Sequence, residues 1–533
     1  MPVRRNRIPF RPHPPREAAA ARRAGVRRAA VAAVLLPALV GGFALQAWTG
    51  DDGSRLFHQV MAHLVNDSPD SLTADALYEK AARGLVESIG DPYAQLYSPR
   101  ELAEFSREAL RGRYGGLGMT VERLSDTVTI TRVFPSTPAR AAGIRPGDRI
   151  LAVDGTPVVG WELARVTERL LGEPGTPVRV TLARRGRGTL RLEVHRAAVS
   201  VPAVPFATVL EDGIGYLPLE QFSESSRAEL ESAFAGLRKS GARAFVLDLR
   251  GNGGGSLDQA IRISNLFVRR GSEIVRVVYR NAAPEVYLAT EEPLVPAGMP
   301  VVVLADEGAA SASEIVAGAL QDHDRAVIVG TTTYGKGLVQ DLFQLEHGWA
   351  LKLTTGKWYT PSGRSIQRAR SDTLPPSDSA LAARPVYRSG AGRLLYGGGG
   401  IAPDLVVRDD TLRGAERALM EALLEHPDAV DEALTEVALE LGLDAGADFA
   451  VQPAWRERLR ARLERAGVRV DAARYDAGGA LVDRLLEQRA AGLVFGDSAV
   501  FRRTRGRDPQ LQAALRVLRG ARTQQEAFAR VEP

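Results

Sequence analysis

The sequence predicts an α/β core with an inserted α+β domain, flanked by helical regions and preceded by a hydrophobic helix. Three observations support this fold class. Short β-branched runs, such as Val301–Ala305, are followed by segments with helical periodicity, as in α/β units. Residues 114–199 instead show alternating strands separated by glycine-rich turns. Residues 29–48 contain no charged side chain and are long enough to cross a bilayer as a helix.

The N-terminal segment concentrates positive charge. Residues 1–28 hold nine arginines and one glutamate, a formal charge of +8, whereas the whole chain of 533 residues carries +5. The high pI therefore belongs to this segment and gives no indication of nucleic-acid binding. Arginines before residues 29–48 and Asp51 and Asp52 after them predict a cytoplasmic tail and a transmembrane or signal-anchor helix. Cleavage of a signal peptide near Ala47 is the alternative.

Both interpretations export the rest of the chain to the periplasm or another extracytoplasmic space, and the first anchors it at the inner membrane. The chain contains no cysteine and seven scattered histidines. The lack of cysteine excludes a thiol nucleophile, disulfides and thiolate metal sites. No histidine pair forms the His-Glu-x-x-His pattern of zinc proteases. We therefore expect chemistry that needs neither a metal nor a cofactor.

Residues 51–113 are predicted to be helical. Apolar residues recur at helical spacing in two stretches, at Leu56, Val60 and Leu64 and at Leu77, Ala81 and Leu85. The segment 91–93, Asp-Pro-Tyr, interrupts this pattern and is interpreted as a packing turn.

Residues 114–199 contain an ordered series of glycine turns, strands and helices. A glycine turn precedes an alternating strand, Val128–Val133, and the segment Pro138–Ile150 predicts a helix, a turn and a strand. In this order the elements resemble a PDZ domain. N–H groups of the turn would form an anion nest for a peptide carboxylate, while the peptide adds as a strand beside residues 119–122. The predicted contact residues are Gly116, Leu117, Gly118 and Met119.

Residues 200–407 form the predicted α/β core, and Ser311 lies at one of its strand-to-helix junctions. Its hydroxyl would lie among unpaired N–H groups at the helix N-terminus, which suits a nucleophile that generates an oxyanion. Ser311 and Glu314 also match a capping box, which is the structural alternative. Lys336 follows 25 positions later between two glycines, and a buried lysine can serve as the base for a serine. Gln340 lies four positions beyond Lys336.

The spacing of Ser311, Lys336 and Gln340 resembles that of the carboxyl-terminal processing, or tail-specific, serine peptidases. The resemblance covers roughly residues 56–407 and implies a ClpP/crotonase-like core. It also implies that Ser311 is the nucleophile, that Lys336 is the general base and that Gln340 orients the lysine.

A glycine run follows the predicted buried strand Ala244–Arg250. No Gly-Lys-Ser/Thr follows the run, so a phosphate cradle is disfavoured. The family resemblance implies that N–H groups of Ala312 and of Gly254 or Gly255 bind the oxyanion. The family usually has Asn and Pro where this chain has glycine, so a less rigid loop is expected.

Residues 408–533 are predicted to be helical. They are rich in Ala, Leu, Glu and Arg, with leucines at helical spacing at Leu419, Leu423, Leu424 and again at Leu511, Leu515, Leu518. We interpret the region as a packing or dimerisation unit, so a homo-oligomer is one expectation. Substrate gating is the alternative role.

The combined interpretation is an exported serine endopeptidase that cleaves protein or peptide substrates recognised by their free C-termini. Two alternatives stay open at this point. One is a Ser-His-Asp peptidase with a PDZ domain, because His323 is close to Ser311 in sequence. The other is a PDZ scaffold without activity, against which the presence of Ser311, Lys336 and Gln340 argues.

Overall fold

A computed structural model describes residues 52–70, 72–109, 114–199, 201–369, 384–409, 412–442, 446 and 448–531. The predicted basic tail, residues 1–28, and the predicted membrane helix, residues 29–48, lie outside the described residues. Within the described ranges, no helix combines the length and apolarity needed to cross a bilayer. The chain forms two compact units, one up to Gly90 and one from Asp91 onward.

The described part of the first unit contains two amphipathic helices, α1 (Asp52–Asn66) and α2 (Ala74–Ser88). Helix α2 begins at a regular N-cap, because Thr73 Oγ1 accepts a hydrogen bond from Ala76 N at 3.3 Å. Both helices agree with the predicted spacing of apolar residues.

The segment that follows them belongs to the second unit. It contains strand β1 (Gln95–Tyr97) and helix α3 (Pro99–Ala109). The prediction of an all-helical region 51–113 is therefore wrong at β1. Leu96 and Tyr97 are buried in a sheet whose partner strand lies some 250 residues later, and such a distant pairing leaves no local pattern.

The inserted domain consists of strands β2 (Tyr114–Gly116), β3 (Met119–Leu124), β4 (Thr127–Val133), β5 (Arg149–Val153), β6 (Thr156–Pro157), β7 (Pro177–Arg184), β8 (Gly188–His195) and β9 (Ala197–Val199), with helices α4 (Pro138–Ala141) and α5 (Leu163–Leu170). Its antiparallel sheet has the order β3-β4-β5-β7-β8, with β6 beside β5. Strand β3 is therefore an edge strand. The entry and exit segments β2 and β9 pair with each other.

From residue 201 to residue 409 the elements are β10 (Thr208–Leu210), β11 (Ile214–Pro218), α6 (Ser226–Lys239), β12 (Ala244–Asp248), α7 (Leu257–Ser264), β13 (Glu273–Tyr279), β14 (Glu285–Leu288), β15 (Val301–Ala305), α8 (Ala312–Asp322), β16 (Val327–Gly330), β17 (Leu338–Gln344), β18 (Ala350–Tyr359), β19 (Val386–Arg388), β20 (Leu394–Tyr396) and β21 (Leu405–Val406). Strands β19 and β20 form a separate hairpin.

Six of these strands form the main sheet, in the order β10-β11-β12-β15-β16-β21. All neighbours except β10 and β11 are parallel. A parallel sheet is covered on both faces, so its strands are apolar throughout, and every residue of β15 is fully buried. Helices α6, α7 and α8 cover one face, through side chains that include Leu230, Ile263 and Ile315.

A second sheet has the order β1-β18-β13-β14, and β17 pairs with the opposite side of β18. The loop between β16 and β17 passes from the main sheet to the second sheet. Lys336 lies on this loop, two residues before β17. Helix α8 begins after the loop that follows β15, the neighbour of β16 in the main sheet. The loops that follow β15 and β16 therefore lie next to each other, at the carboxyl ends of these two neighbouring parallel strands.

The C-terminal region contains α9 (Gly414–Leu424), α10 (Pro427–Gly442), α11 (Pro453–Arg465), α12 (Ala472–Ala477), α13 (Gly479–Ala490), α14 (Asp497–Thr504), α15 (Pro509–Leu518) and α16 (Gln524–Phe528). Helices α9 to α13 share a hydrophobic core of their own. Helices α15 and α16 instead cover the second face of the main sheet, where Leu511 and Leu518 join the same cluster as Val302. This segment has a packing role, whereas dimerisation stays a prediction.

Polar contacts join the inserted domain to the C-terminal helices. Ser125, in the turn between β3 and β4, donates a hydrogen bond to Glu436 Oε1 at 2.6 Å. Arg185 Nη1 donates to the Glu440 carbonyl at 2.7 Å. Arg132 on β4 forms an ion pair with Asp497. The β3–β4 side of the domain is thereby connected to the helices through Ser125 and Arg132, and the β7–β8 turn is connected through Arg185.

Candidate active site

Ser311 is the residue immediately before helix α8, and its backbone conformation is unusual. It has φ 56° and ψ −112°, a region that side-chain-bearing residues rarely adopt and that is concentrated at functional sites. Its side chain and that of Glu314 have the arrangement of a capping box, although the hydroxyl makes no regular capping hydrogen bond. The Glu314 N–H donates instead to the Ser311 carbonyl at 2.9 Å. The predicted capping box of Ser311 and Glu314 is therefore present at this helix.

Glu314 connects the two loops of the site. Its side chain is fully buried and accepts four hydrogen bonds. Oε1 accepts from Thr333 Oγ1 at 2.5 Å and from Gly335 N at 2.6 Å. Oε2 accepts from Ser311 N and from Lys336 N, each at 2.8 Å. Burial raises the pKa of Glu314, and the donated hydrogen bonds oppose that rise. One carboxylate oxygen thus holds the backbones of Ser311 and Lys336 together.

Lys336 lies between two glycines that allow close packing of its loop. Gly335 has φ 90°, and a Cβ there would lie 3.0 Å from the backbone N of Gly400, so a larger residue would be strained and crowded. The Lys336 side chain is half-buried. Burial lowers its pKa, the positive charge of Lys352 lowers it further, and the charges of Glu314 and Asp91 oppose both effects. Its Nζ lies 4.6 Å from the centre of the Tyr93 ring.

Gln340 occupies the third position of β17, just after a bulge between Val339 and Gln340. Its Nε2 donates to Thr354 Oγ1 on β18 at 3.4 Å, a long hydrogen bond. Its described contacts include neither Lys336 nor Ser311. The role of Gln340 in orienting the lysine therefore stays a prediction.

The glycine run lies directly against Ser311. A Cβ on Gly254 would lie 2.9 Å from both Ser311 Cβ and Ala312 N, so only glycine fits there. Gly254 N already donates to Asn252 Oδ1 at 2.9 Å. Within the described part of the chain, Gly255 N and Ala312 N have no hydrogen-bond partner. Of the two glycine N–H groups, that of Gly254 is therefore already used within the loop.

Asn252 pins this loop. Its Nδ2 donates to the Leu219 carbonyl at 2.7 Å, and its own carbonyl accepts from Ser313 Oγ at 2.8 Å and from Ala310 N at 3.0 Å. Asn252 is itself buried. These hydrogen bonds restrain the glycine-rich loop. Asn252 therefore opposes the loss of rigidity that is expected from the glycines.

His323 lies at the opposite end of helix α8 from Ser311. Twelve residues at 1.5 Å each place it about 18 Å away along the helix. Its Nε2 is 2.6 Å from the Glu273 carbonyl. The Ser-His-Asp alternative built on His323 is therefore wrong. The two residues are close in sequence, but they lie at opposite ends of the same helix.

The predicted peptide-binding turn of the inserted domain has a partly open backbone. The carbonyls of Leu117 and Gly118 accept hydrogen bonds from Ala139 N and Phe134 N, whereas the N–H groups of Leu117 and Gly118 have no partner among the described residues. Gly118 has φ 77°, and a Cβ there would overlap Thr137. Gly116 lies in β2 and Met119 begins the edge strand β3.

Comparisons with known proteins agree with this geometry. The model of peptidase family S41 matches residues 213–373, and the PDZ domain model matches residues 109–183. The chain is 35% identical over 322 residues to the carboxy-terminal processing protease CtpA of Bacillus subtilis, across 60% of this chain and 68% of that protein. The chain belongs to peptidase family S41. It is a serine peptidase of the carboxy-terminal processing group, and it carries a PDZ domain.

Two further relatives are similar to this peptidase. The carboxy-terminal-processing protease of Bartonella bacilliformis is 38% identical over 296 residues, which cover 55% of this chain and 67% of that protein. Among solved structures, the photosystem II D1 C-terminal processing protease is 27% identical, with a TM-score of 0.37, over 66% of this chain and 86% of that one. The family assignment rests on the sequence comparisons.

Sequence reasoning missed three residues at the site of this peptidase. The sequence indicates Glu314 only as half of a capping box and gives no indication of Thr333. The sequence indicates Tyr93 only as part of a packing turn, yet its ring contacts Lys336. Glu314 could have been found from the sequence, because a glutamate within an otherwise apolar helix is unusual. Tyr93 has no such signal, because the contact depends on β1 joining the second sheet.

Proposed function

We propose that this peptidase cleaves exported proteins through an acyl-enzyme, with Ser311 as nucleophile and Lys336 as general base. One observation carries the proposal. Glu314 Oε2 accepts hydrogen bonds from the backbone N–H groups of both residues. A nucleophile and its base must be held within reach of each other, and a shared buried acceptor is a direct way to hold two loops together.

The reaction then proceeds in two steps. Lys336 Nζ takes the proton of Ser311 Oγ as Oγ attacks the scissile carbonyl. Backbone N–H groups of Ala312 and Gly255 stabilise the oxyanion, and the ammonium of Lys336 returns its proton to the leaving amine. Water hydrolyses the acyl-enzyme by the same route. Gln340 is proposed to orient Lys336 once substrate is bound, since catalytic hydrogen bonds are often loose in the free enzyme.

The PDZ domain is proposed to hold the free C-terminus of the substrate. Strand β3 is an edge strand, so a peptide can pair with it as an added strand. The open N–H groups of Leu117 and Gly118 can receive the terminal carboxylate. Contacts of the β3–β4 turn with Glu436 support a role of the C-terminal helices in fixing this edge.

Amidation of the substrate C-terminus is expected to impair cleavage. The amide lacks the negative charge that the N–H groups of the turn would hold, and a charged hydrogen bond is worth roughly twice a neutral one. We expect kcat/KM for an unstructured peptide to fall about tenfold or more, mainly through KM. The measurement compares free-acid and amidated forms of one peptide. Equal cleavage of the two forms would contradict PDZ recognition of C-termini, and cleavage of neither would contradict the proposed peptidase activity.

The catalytic region is proposed to be exported and held at the inner membrane by residues 29–48. We expect the full chain to stay with membranes after an alkaline carbonate wash, because 20 uncharged residues partition stably into a bilayer. A chain that starts at Asp52 is the matched control and should be released. A mature N-terminus just after Ala47 would contradict tethering, and retention of the shortened chain would show that another segment binds the membrane.

A further inference from the structure

Tyr93 is brought to the active site by the strand that follows it. Its N–H donates to Asp91 Oδ1 at 3.0 Å, which forms a tight turn before β1. Strand β1 pairs with β18 through Gln95 and Lys352, and β17 pairs with the other side of β18. This arrangement places the Tyr93 ring over Lys336, with the ring centre 4.6 Å from Nζ. A cation within about 6 Å of an aromatic ring face is attracted by its quadrupole.

We infer that Tyr93 is a positioning residue for the base, whose ring face stabilises the ammonium that forms when Lys336 takes the proton of Ser311. The inference rests on the proposed role of Lys336. It goes beyond that role by naming a group that stabilises the protonated form of Lys336.

The charged groups around Lys336 explain why a neutral ring suits this position. Lys352 on β18 disfavours the ammonium, whereas Glu314 on α8 and Asp91 in the turn favour it. Each oxygen of Glu314 already accepts two hydrogen bonds from the backbone and Thr333. A further carboxylate beside Nζ would keep Lys336 protonated and unable to act as a base. A ring face attracts the ammonium less strongly and cannot take its proton.

Tyr93 stays neutral while it does this. Burial and the neighbouring hydroxyl of Tyr334 raise the pKa of Tyr93 to about 12, with the charges of Glu314 and Asp91 acting in the same direction. No phenolate forms in the pH range where the peptidase would work. The contribution of Tyr93 is therefore that of its aromatic face, which phenylalanine shares and leucine lacks.

The test is the pH dependence of kcat/KM for Tyr93→Phe and Tyr93→Leu, with an unstructured free-acid peptide as substrate. Leucine keeps the site apolar but removes the ring face, so the ammonium loses its stabilisation. We expect the apparent pKa of the rising limb to fall by about 0.5–1.5 pH units. The alkaline plateau should fall by about 3- to 30-fold. Phenylalanine should restore both to wild-type values.

Tyr279→Leu is the matched control, because Tyr279 is a half-buried tyrosine of the same sheet that does not contact Lys336. It should leave the pH profile unchanged, and thermal unfolding of each variant checks the fold. An unchanged or raised apparent pKa in Tyr93→Leu would overturn the inference, since it would mean that the ring only packs or only excludes water. So would failure of Tyr93→Phe to restore the profile.

Lys336→Ala, measured in the same series, separates this inference from the proposed function. Full activity of Lys336→Ala would overturn the assignment of the base and the role of Tyr93 with it. An inactive Lys336→Ala enzyme together with an unshifted Tyr93→Leu profile would overturn the role of Tyr93 alone.

Discussion

Replacing Ser311 with alanine is expected to abolish peptide cleavage and to leave the fold intact. Without a nucleophile no acyl-enzyme forms, and kcat should fall by about 10³-fold or more. The Glu314 N–H donates to the Ser311 carbonyl at 2.9 Å, so removal of the Ser311 hydroxyl should change the free energy of unfolding by less than about 0.5 kcal/mol. The measurement pairs kcat with thermal unfolding.

Thr73→Ala is the matched control for this variant. The Thr73 hydroxyl does cap a helix, α2, by accepting from Ala76 N, and its loss should cost about 1 kcal/mol locally. Activity should be unaffected. The two variants are thus expected to show opposite patterns, activity lost in one and stability lost in the other. A Ser311→Ala enzyme that is fully active but less stable would return Ser311 to the role of a helix cap.

Replacing Lys336 with arginine is expected to be nearly as damaging. A general base must be neutral, and arginine stays charged at all accessible pH values, so kcat/KM should fall by about 10²- to 10⁴-fold. Lys336→His should retain a little activity, because imidazole can be neutral near pH 7. His323→Ala, on the far end of the helix, should leave the chemical step unchanged. An active Lys336→Arg enzyme would contradict the assignment.

The activity of the wild-type enzyme is also expected to depend on pH in a definite direction. Burial and the charge of Lys352 lower the pKa of Lys336, so its neutral form becomes populated below the ordinary lysine value of about 10.4. The kcat/KM should therefore rise with pH through an ionisation below 10.4. A profile that rises only near 10.4 would mean that the site does not perturb the lysine.

The parts of the site that the sequence could predict are the ones that lie at local features. The change from β-branched residues to helical periodicity marks the junction at Ser311, and two glycines mark the loop of Lys336. The parts that it could not predict depend on pairings between distant segments. Tyr93 reaches Lys336 only because β1 joins β18, and Glu314 reaches Lys336 only because β15 and β16 are neighbours. Burial of a polar group is likewise a property of the assembled fold.

The fold follows the same division. Hydrophobic runs and glycine turns predict the α/β core, and the resemblance of their order in residues 114–199 to a PDZ domain predicts the inserted domain. They could not indicate which surface α15 and α16 would cover, because an amphipathic helix presents the same pattern to any apolar partner. The hydrogen bond from Gly254 N to the Asn252 side chain likewise could not be read from the sequence, because it depends on how the loop folds.

Because α15 and α16 cover one face of the main sheet, the sheet cannot be completed until the end of the chain has been synthesised. A ribosome makes the strands of that sheet, together with Ser311 and Lys336, well before it makes residues 508–528. Until those residues emerge, one apolar face of the sheet is bare and Arg250 lacks Asp508, its partner at 2.8 Å. The nascent chain therefore carries its reactive groups on an incomplete scaffold. The apolar cover of the sheet and the Arg250–Asp508 ion pair are therefore completed only after Ser311 and Lys336 have been made.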